Sequence, residues 1–323
     1  VMSIPAPQFK YVQVIANPAA GADESFPAIL NRVFRKYDIQ WDMRLTHKLG
    51  DGARLAREAL DAGADCIVSY GGDGTVMDVA SGLLDTGATM GILPGGTGNA
   101  VAGAMKLPLA TEAAVELIAT GAHEVHAYDA AEINRKSFVL RADLGILADT
   151  LDSVDRASKD RWGALAYALA LLRGIAAPRQ TRFRLTVDGE EVEMVGAGCM
   201  VLNFDNIGTI NRSLARGVAA DDGLLDVFIL KNDALSLVQT VASFADLLDY
   251  EALFGRYSGK VITVETDEPI AYMLDGDTEG SGTTPATFKV LPGALRIVSP
   301  IRTVEPPTGE TSETVILPNP PAP

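Results

Sequence analysis

Tyr70-Gly71-Gly72-Asp73-Gly74-Thr75 lies where the apolar run Cys66-Ile67-Val68-Ser69 gives way to a helix-forming stretch, Val76 to Leu84. The short apolar run reads as a buried strand and the segment after it as a helix. Three glycines and a carboxylate at such a turn suit the handling of phosphate. Glycine permits positive φ and lets a ligand approach the backbone with no Cβ in the way. The helix that follows offers unpaired N–H groups and the positive end of its dipole. Asp73 would repel bare phosphate, so it points to bound Mg²⁺ or to a direct part in group transfer. A tight turn in any α/β protein could use the same glycines, and the neighbouring segments decide between the two.

Two further loops repeat the arrangement. Gly91-Ile92-Leu93 reads as the next strand, followed by Pro94-Gly95-Gly96-Thr97-Gly98-Asn99 and a small-residue helix, Ala100 to Met105. The Thr97 hydroxyl and the Asn99 amide are available to phosphate oxygens there. Upstream, the strand Tyr11 to Ala16 ends in Asn17-Pro18-Ala19-Ala20-Gly21 before a helix around Ser25 to Tyr37. Three such loops at the carboxyl ends of neighbouring parallel strands would meet in one crevice. No Walker A motif occurs, nor a G-x-G-x-x-G fingerprint with an acidic partner, which excludes an ordinary P-loop protein and an ordinary dinucleotide binder.

The organisation is that of an α/β protein in two parts. Strands 11–16, 39–45, 65–69 and 89–93 alternate with helices 24–37, 51–62, 75–85, 98–105 and 111–120. That rhythm predicts a Rossmann-like, mostly parallel sheet covered on both faces. After Ala127 strands dominate: 130–133, 137–142, 182–187, 191–195, 200–204, 225–229, 260–266 and 270–274, with one helix, Leu235 to Phe254. This block reads as an antiparallel β-sandwich. The expected domains are residues 1–128 and then 129–294. The Pro-, Thr- and Glu-rich end, 304–323, is expected to be disordered.

Composition removes several classes. With 323 residues, 47% of them apolar, the chain can bury a full core. A net charge of −15 argues against nucleic acid and against diffuse adhesion to anionic lipid. No apolar run is long enough to span a bilayer, and Val1 to Lys10 does not read as a signal peptide. Cys66 and Cys199 sit in apolar contexts, as buried thiols of a cytoplasmic protein would. Between Ser153 and Arg184, seven basic residues against two acidic ones flank the apolar stretch Trp162 to Leu172. A core helix joining two domains is the favoured reading, and a membrane-interface helix the other. His123 and His126 lack a third ligand at useful spacing and are not read as a zinc site. A homodimer is compatible with all of this.

The three loops, at these separations, resemble the diacylglycerol kinase and sphingosine kinase catalytic-domain family. The resemblance covers about residues 10–303. Trp162-Gly163-Ala164-Leu165-Ala166-Tyr167 resembles the family's linker, and Asn203 an Asn on a second-domain strand. Ala219-Ala220-Asp221-Asp222-Gly223-Leu224 resembles its acidic Asp-Gly-Leu turn. Leu274-Asp275-Gly276-Asp277 falls where the family usually has Asp-Gly-Glu.

The resemblance implies a two-domain fold like that of NAD and diacylglycerol kinases, with 295–303 returning to the first domain as a short strand, and an ATP- and Mg²⁺-dependent lipid kinase that visits the membrane surface. Asn17, Thr46, Gly71, Gly72, Asp73, Gly74, Thr75, Gly96, Thr97 and Asn99 would hold the nucleotide, with Asp73 also acting in transfer. Asp222, with the carbonyls of Ala219 and Leu224, would bind a structural Mg²⁺. Asp277 would be the general base, one methylene shorter than the usual Glu, with Asp129 cooperating. Two alternatives stand beside this reading. NAD kinases share the Gly-Gly-Asp-Gly-Thr loop but typically add an Asn-Asp pair, and here Asp205-Asn206 is reversed. A catalytically silent nucleotide- or lipid-binding protein is the other, favoured by the Asp277 departure.

Overall fold

The computed structural model describes residues 9–21, 26–145, 180–204, 217–231, 254–275 and 277–301, with backbone alone over 277–280. The parallel part opens with β1 (Tyr11–Ala16), α1 (Phe26–Lys36), β2 (Gln40–Leu45), α2 (Asp51–Asp61), β3 (Cys66–Gly71), α3 (Asp73–Leu83) and β4 (Thr89–Pro94). Two more helices follow, α4 (Ala100–Ala104) and α5 (Thr111–Ala119). The strands lie in the order β2-β1-β3-β4, all parallel. Every residue of β3 is buried, as expected of a strand covered on both faces. Helix α1 turns Phe26, Leu30, Val33 and Phe34 inward, a helical spacing that packs one face of the sheet beside α5. Helices α2, α3 and α4 cover the other. There α2 and α3 touch backbone to backbone, since a Cβ on Gly82 would stand 2.5 Å from the carbonyl oxygen of Ala53.

The second part is built from β5 (Glu124–Ile133), β6 (Lys136–Phe138), β7 (Arg141–Gly145), β8 (Thr181–Val187), β9 (Glu190–Gly196), β10 (Gly198–Leu202), β11 (Leu225–Leu230), β12 (Phe254–Gly259), β13 (Val261–Thr266), β14 (Ala271–Leu274), β15 (Asp277–Thr283) and β16 (Ala286–Ser299). One six-stranded antiparallel sheet runs β12-β11-β10-β7-β14-β15. It packs against a second antiparallel layer formed by β5, β6, β8, β13 and β16, around Phe138, Phe183, Phe288, Val201, Val227 and Leu144. This is a mixed α/β protein with a parallel N-terminal sheet and an antiparallel β-sandwich.

The join between the two parts differs from the expected short returning strand. Residues 295–298 are the end of a 14-residue strand, β16. Its first half pairs with β13, while Arg296 and Ile297 pair in parallel with Thr89 and Met90 of β4. Strand β5 follows β16 from Lys289 to Ser299, with an irregularity between Leu291 and Leu295. The parallel sheet and one layer of the sandwich are therefore a single ten-stranded sheet.

Three other expectations shift for identifiable reasons. The strand expected over 137–142 breaks into β6 and β7, because the N–H groups of Val139, Leu140 and Arg141 donate to the Asp275 carboxylate. Strand β10 ends at Leu202 rather than Phe204, since Asn203 and Phe204 both give their N–H to the Leu140 carbonyl. Phe254 begins strand β12 rather than ending a helix. The helix expected over 235–253, the segment around Trp162 and the 304–323 tail lie outside the described residues. Among the described residues no helix is long and apolar enough to cross a membrane.

Candidate active site

Three loops interlock at the carboxyl ends of β1, β3 and β4. Asn17 N–H donates to the Tyr70 carbonyl at 2.9 Å, and its Nδ2 reaches the Thr75 hydroxyl at 3.2 Å. Gly21 N–H donates to the Gly95 carbonyl (2.7 Å), and Gly95 N–H to the Gly71 carbonyl (2.9 Å). The Asn99 side chain closes its own loop, accepting from Gly96 N–H and donating back to the Gly96 carbonyl. Glycine is required by close approach here. A Cβ on Gly96 would lie 2.5 Å from Gly72 Cα, and one on Gly71 would lie 2.5 Å from Thr75 Cβ. A Cβ on Gly74 would meet nothing within 4 Å beyond its own helix.

Helix α3 starts earlier than expected, with Gly72 as its N-cap and Asp73-Gly74-Thr75 as its first turn. The Thr75 N–H turns back to the Gly72 carbonyl at 3.0 Å, which leaves the Asp73 and Gly74 amides to face an anion at the positive end of the dipole. Asp73 turns sideways, and its Oδ1 accepts the Val101 N–H at 2.9 Å. That bond caps α4, so Asp73 ties the second loop to the third. Thr75 is buried, whereas Thr97 and Gly98 are exposed at the loop tip. Thr46 follows β2, where its N–H donates to the Ala16 carbonyl beside the start of the Asn17 loop.

The acidic turn is built on β5. Asp129 is 2% exposed, and every polar group it has is engaged. Its N–H donates to Ala220 (2.7 Å), and its carbonyl accepts from Asn203 Nδ2 (2.8 Å). Its Oδ2 accepts from Gly223 N–H and its Oδ1 from Gly293 N–H, both at 2.7 Å. Three residues upstream, His126 Nε2 meets Asp221 Oδ2 at 2.6 Å, so β5 grips the turn twice. Asp222 accepts the Leu224 N–H at Oδ1. Burial, then the neighbouring Asp226, Asp129 and Asp221 carboxylates, push the Asp222 carboxyl above its ordinary value. Asp226 is paired with Arg256 at 2.9 Å and contacts the Ser258 hydroxyl closely.

The donors on this turn fit a hard cation. Asp222, exposed beside an equally exposed Asp221, with the backbone carbonyls of Ala219 and Leu224, would make an oxygen-only set of the kind Mg²⁺ takes. The carboxylates of Asp226, Asp129 and Asp221, which add to the effect of burial on Asp222, are the electrostatic condition a cation relieves. Among the described residues no three His, Cys, Asp or Glu side chains converge as a metal cluster. His123 and His126 part company. The first bonds the Leu117 carbonyl and stacks on Phe9, and burial lowers its pKa.

The Asp-Gly-Asp segment is anchored by a residue to which the sequence assigned no role. Asp275, at φ +50°, accepts N–H bonds from Val139, Leu140 and Arg141 at 2.8–2.9 Å. Burial pushes its carboxyl up to about 6, against these donors, which pull the other way. An Asp-Gly pair ending a strand was the available signal. Asp277 begins β15 opposite Leu274; its side chain and Gly276 lie outside the described residues. One apolar cluster joins α4, behind the third loop, to Tyr128, Phe204 and Ala220, beneath the acidic turn.

Comparison with known proteins agrees with this layout. Residues 11–132 match the family model described as diacylglycerol kinase catalytic domain. Residues 142–299 match the one described as YegS C-terminal NAD kinase beta sandwich-like domain. A Staphylococcus haemolyticus protein bearing the name "putative lipid kinase" is 28% identical over 76% of this chain and 80% of its own. An uncharacterized Synechocystis protein is 32% identical over 77% of this chain and 58% of its own. A crystal structure titled as a putative diacylglycerol kinase from Bacillus anthracis is 26% identical. It superposes with a TM-score of 0.77 over 93% of this chain and 98% of that one.

Proposed function

Because this chain belongs to the diacylglycerol kinase catalytic-domain family, we propose that it is an ATP- and Mg²⁺-dependent lipid kinase. It transfers the γ-phosphate to a lipid hydroxyl, of diacylglycerol or of a sphingoid-like lipid, presented at a membrane surface. The observation that carries this reading is the interlocked glycine crevice, with the first turn of α3 open at Gly74.

In this mechanism the Asp73 and Gly74 amides at the start of α3 and the Thr97 hydroxyl bind the polyphosphate, with Asn17 and Asn99 holding their loops in register. Positioning and charge stabilisation supply most of the catalysis in phosphoryl transfer. Asp277 accepts the proton of the acceptor hydroxyl as its oxygen bonds to the γ-phosphorus and the bond to the bridging oxygen of ADP breaks. Asp275, fixed by three amides, sets where the turn that carries Asp277 begins. Asp222 with the Ala219 and Leu224 carbonyls would hold Mg²⁺, whose charge offsets the crowded carboxylates of that turn.

ATP consumption measured with micellar diacylglycerol, phosphatidylglycerol, ceramide, sphingosine or NAD tests the proposal, with Asp277→Asn as control. Lipid-dependent turnover lost in the variant is the expected result. Turnover with NAD alone would make the protein a nucleotide kinase, and nucleotide binding without any transfer would make it a binding protein.

A further inference from the structure

Asp129 was expected to help deprotonate the acceptor, and its surroundings argue for another role. A general base needs a lone pair aimed at the hydroxyl it serves. Both oxygens of this buried carboxylate are instead filled by backbone amides at 2.7 Å, one from Gly223 and one from Gly293. The two donors belong to different elements. Gly223 lies in the acidic turn at φ +75°, and Gly293 lies at φ +60° in the irregularity of β16 that follows Pro292. Glycine adopts such angles at the least cost, so each amide is presented by a residue suited to present it. The Asp129 main chain adds two more bonds, to Ala220 and from Asn203. Asn203 itself is fully buried and reaches the Val139 carbonyl as well.

We propose that Asp129 is a positioning residue: it ties the acidic turn to β16 and thereby holds Asp222 and the Ala219 and Leu224 carbonyls in the arrangement a divalent cation needs. The inference rests on the metal reading of the turn under the proposed function, and it replaces proton transfer as the task of Asp129. Charge alone does not make the tie, because each oxygen must accept one amide. Asparagine keeps the size but turns an N–H₂ toward one of the two donors. Removal of the far anchor acts in the same direction without touching a carboxylate. Gly293→Ala has room for its Cβ, 3.8 Å from Ala127, yet is strained at φ +60° and withdraws the Gly293 N–H.

The experiment is Mn²⁺ binding to the full chain, followed by electron paramagnetic resonance with no nucleotide or lipid, together with amide exchange at Gly223. Thermal unfolding confirms that each variant is folded. The expected result is affinity about tenfold weaker in both Asp129→Asn and Gly293→Ala, the lower end of the loss seen when a group that orients metal ligands is removed. The double variant should be no weaker than Asp129→Asn alone, because both changes cut one link. Asp222→Ala should abolish binding. In lipid phosphorylation, where the protein shows it, added Mg²⁺ should recover the loss in Gly293→Ala. Unchanged Mn²⁺ affinity in the two single variants would overturn the inference, most sharply if Asp129→Asn also abolished transfer. Wild-type protein that binds no Mn²⁺ at the turn but phosphorylates lipid would overturn it while leaving the kinase reading intact. Tie-dependent Mn²⁺ binding without any lipid transfer would support it and sink the kinase reading alone.

Discussion

Glycines of the crevice divide into two kinds, and alanine substitution separates them. At Gly96 a Cβ would stand 2.5 Å from Gly72 Cα, where ordinary contact begins near 3.4 Å. The two loops must therefore part by about 0.9 Å, and neither side can yield through a flexible side chain. Overpacking of this sort costs about 1–3 kcal/mol. The same displacement strains the Gly95 N–H bond to Gly71 and the Gly96 N–H bond to Asn99, each worth about 1 kcal/mol. Gly96→Ala should lose about 2–4 kcal/mol of stability and bind nucleotide weakly as a consequence. Gly74 lies in the first turn of α3, where a Cβ would meet nothing within 4 Å beyond its own helix. Gly74→Ala should keep its stability or gain up to about 1 kcal/mol, because alanine is the better helix former. It should nevertheless lose nucleotide affinity by about tenfold or more, if a phosphate seats against that amide and meets the new methyl group. Urea unfolding and titration with a fluorescent ATP analogue read the two effects separately. A Gly74→Ala protein that binds nucleotide as well as wild type would refute the placement of phosphate at the first turn of α3. Wild-type stability in Gly96→Ala would refute the close contact of the loops.

Other outcomes follow from the same structure. Asp51 accepts from His47 and Lys48 amides and pairs with Arg54; the Arg54 bond first, then the amides, hold its pKa down at about 2, against an ordinary 3.8. A depressed folded-state value means stability that is present above pH 3.8 and lost as pH falls through about 2, so acid unfolding curves of wild type and Asp51→Asn should differ near neutrality and converge below about pH 2. Gly82→Ala forces α2 and α3 apart at the Ala53 carbonyl; calorimetry should show a loss of about 1–3 kcal/mol, with nucleotide affinity retained. Cys66 and Cys199 are buried, and burial raises both thiol pKa values, so Ellman's reagent should modify them only as fast as the protein unfolds.

Local chemistry explains what could be read early. Glycines at strand-to-helix turns, apolar strands of regular spacing and amphipathic α1 each carry their signal within a dozen residues, so the parallel half and its glycine loops were visible in the chain. The limits of that view show at Asp73 and Asp129. An Asp in a glycine loop reads as a cation or transfer residue, but its partner, Val101 N–H, is 28 positions away. Asp129 reads as a helper of the general base, but its partners stand 94 and 164 positions downstream.

The sequence by itself determined the α/β class, the three loops and the acidic turn, because each depends on backbone preferences and periodicity that a short segment settles alone. Tertiary structure alone decided that one strand, β16, runs through both halves, and that the 137–142 segment yields its amides to Asp275. It also decided that two buried aspartate oxygens are spent on glycine amides. The physical reason is common to all three. A buried N–H or carboxylate must find a partner, and which partner it finds depends on what the fold brings beside it rather than on its neighbours in the chain.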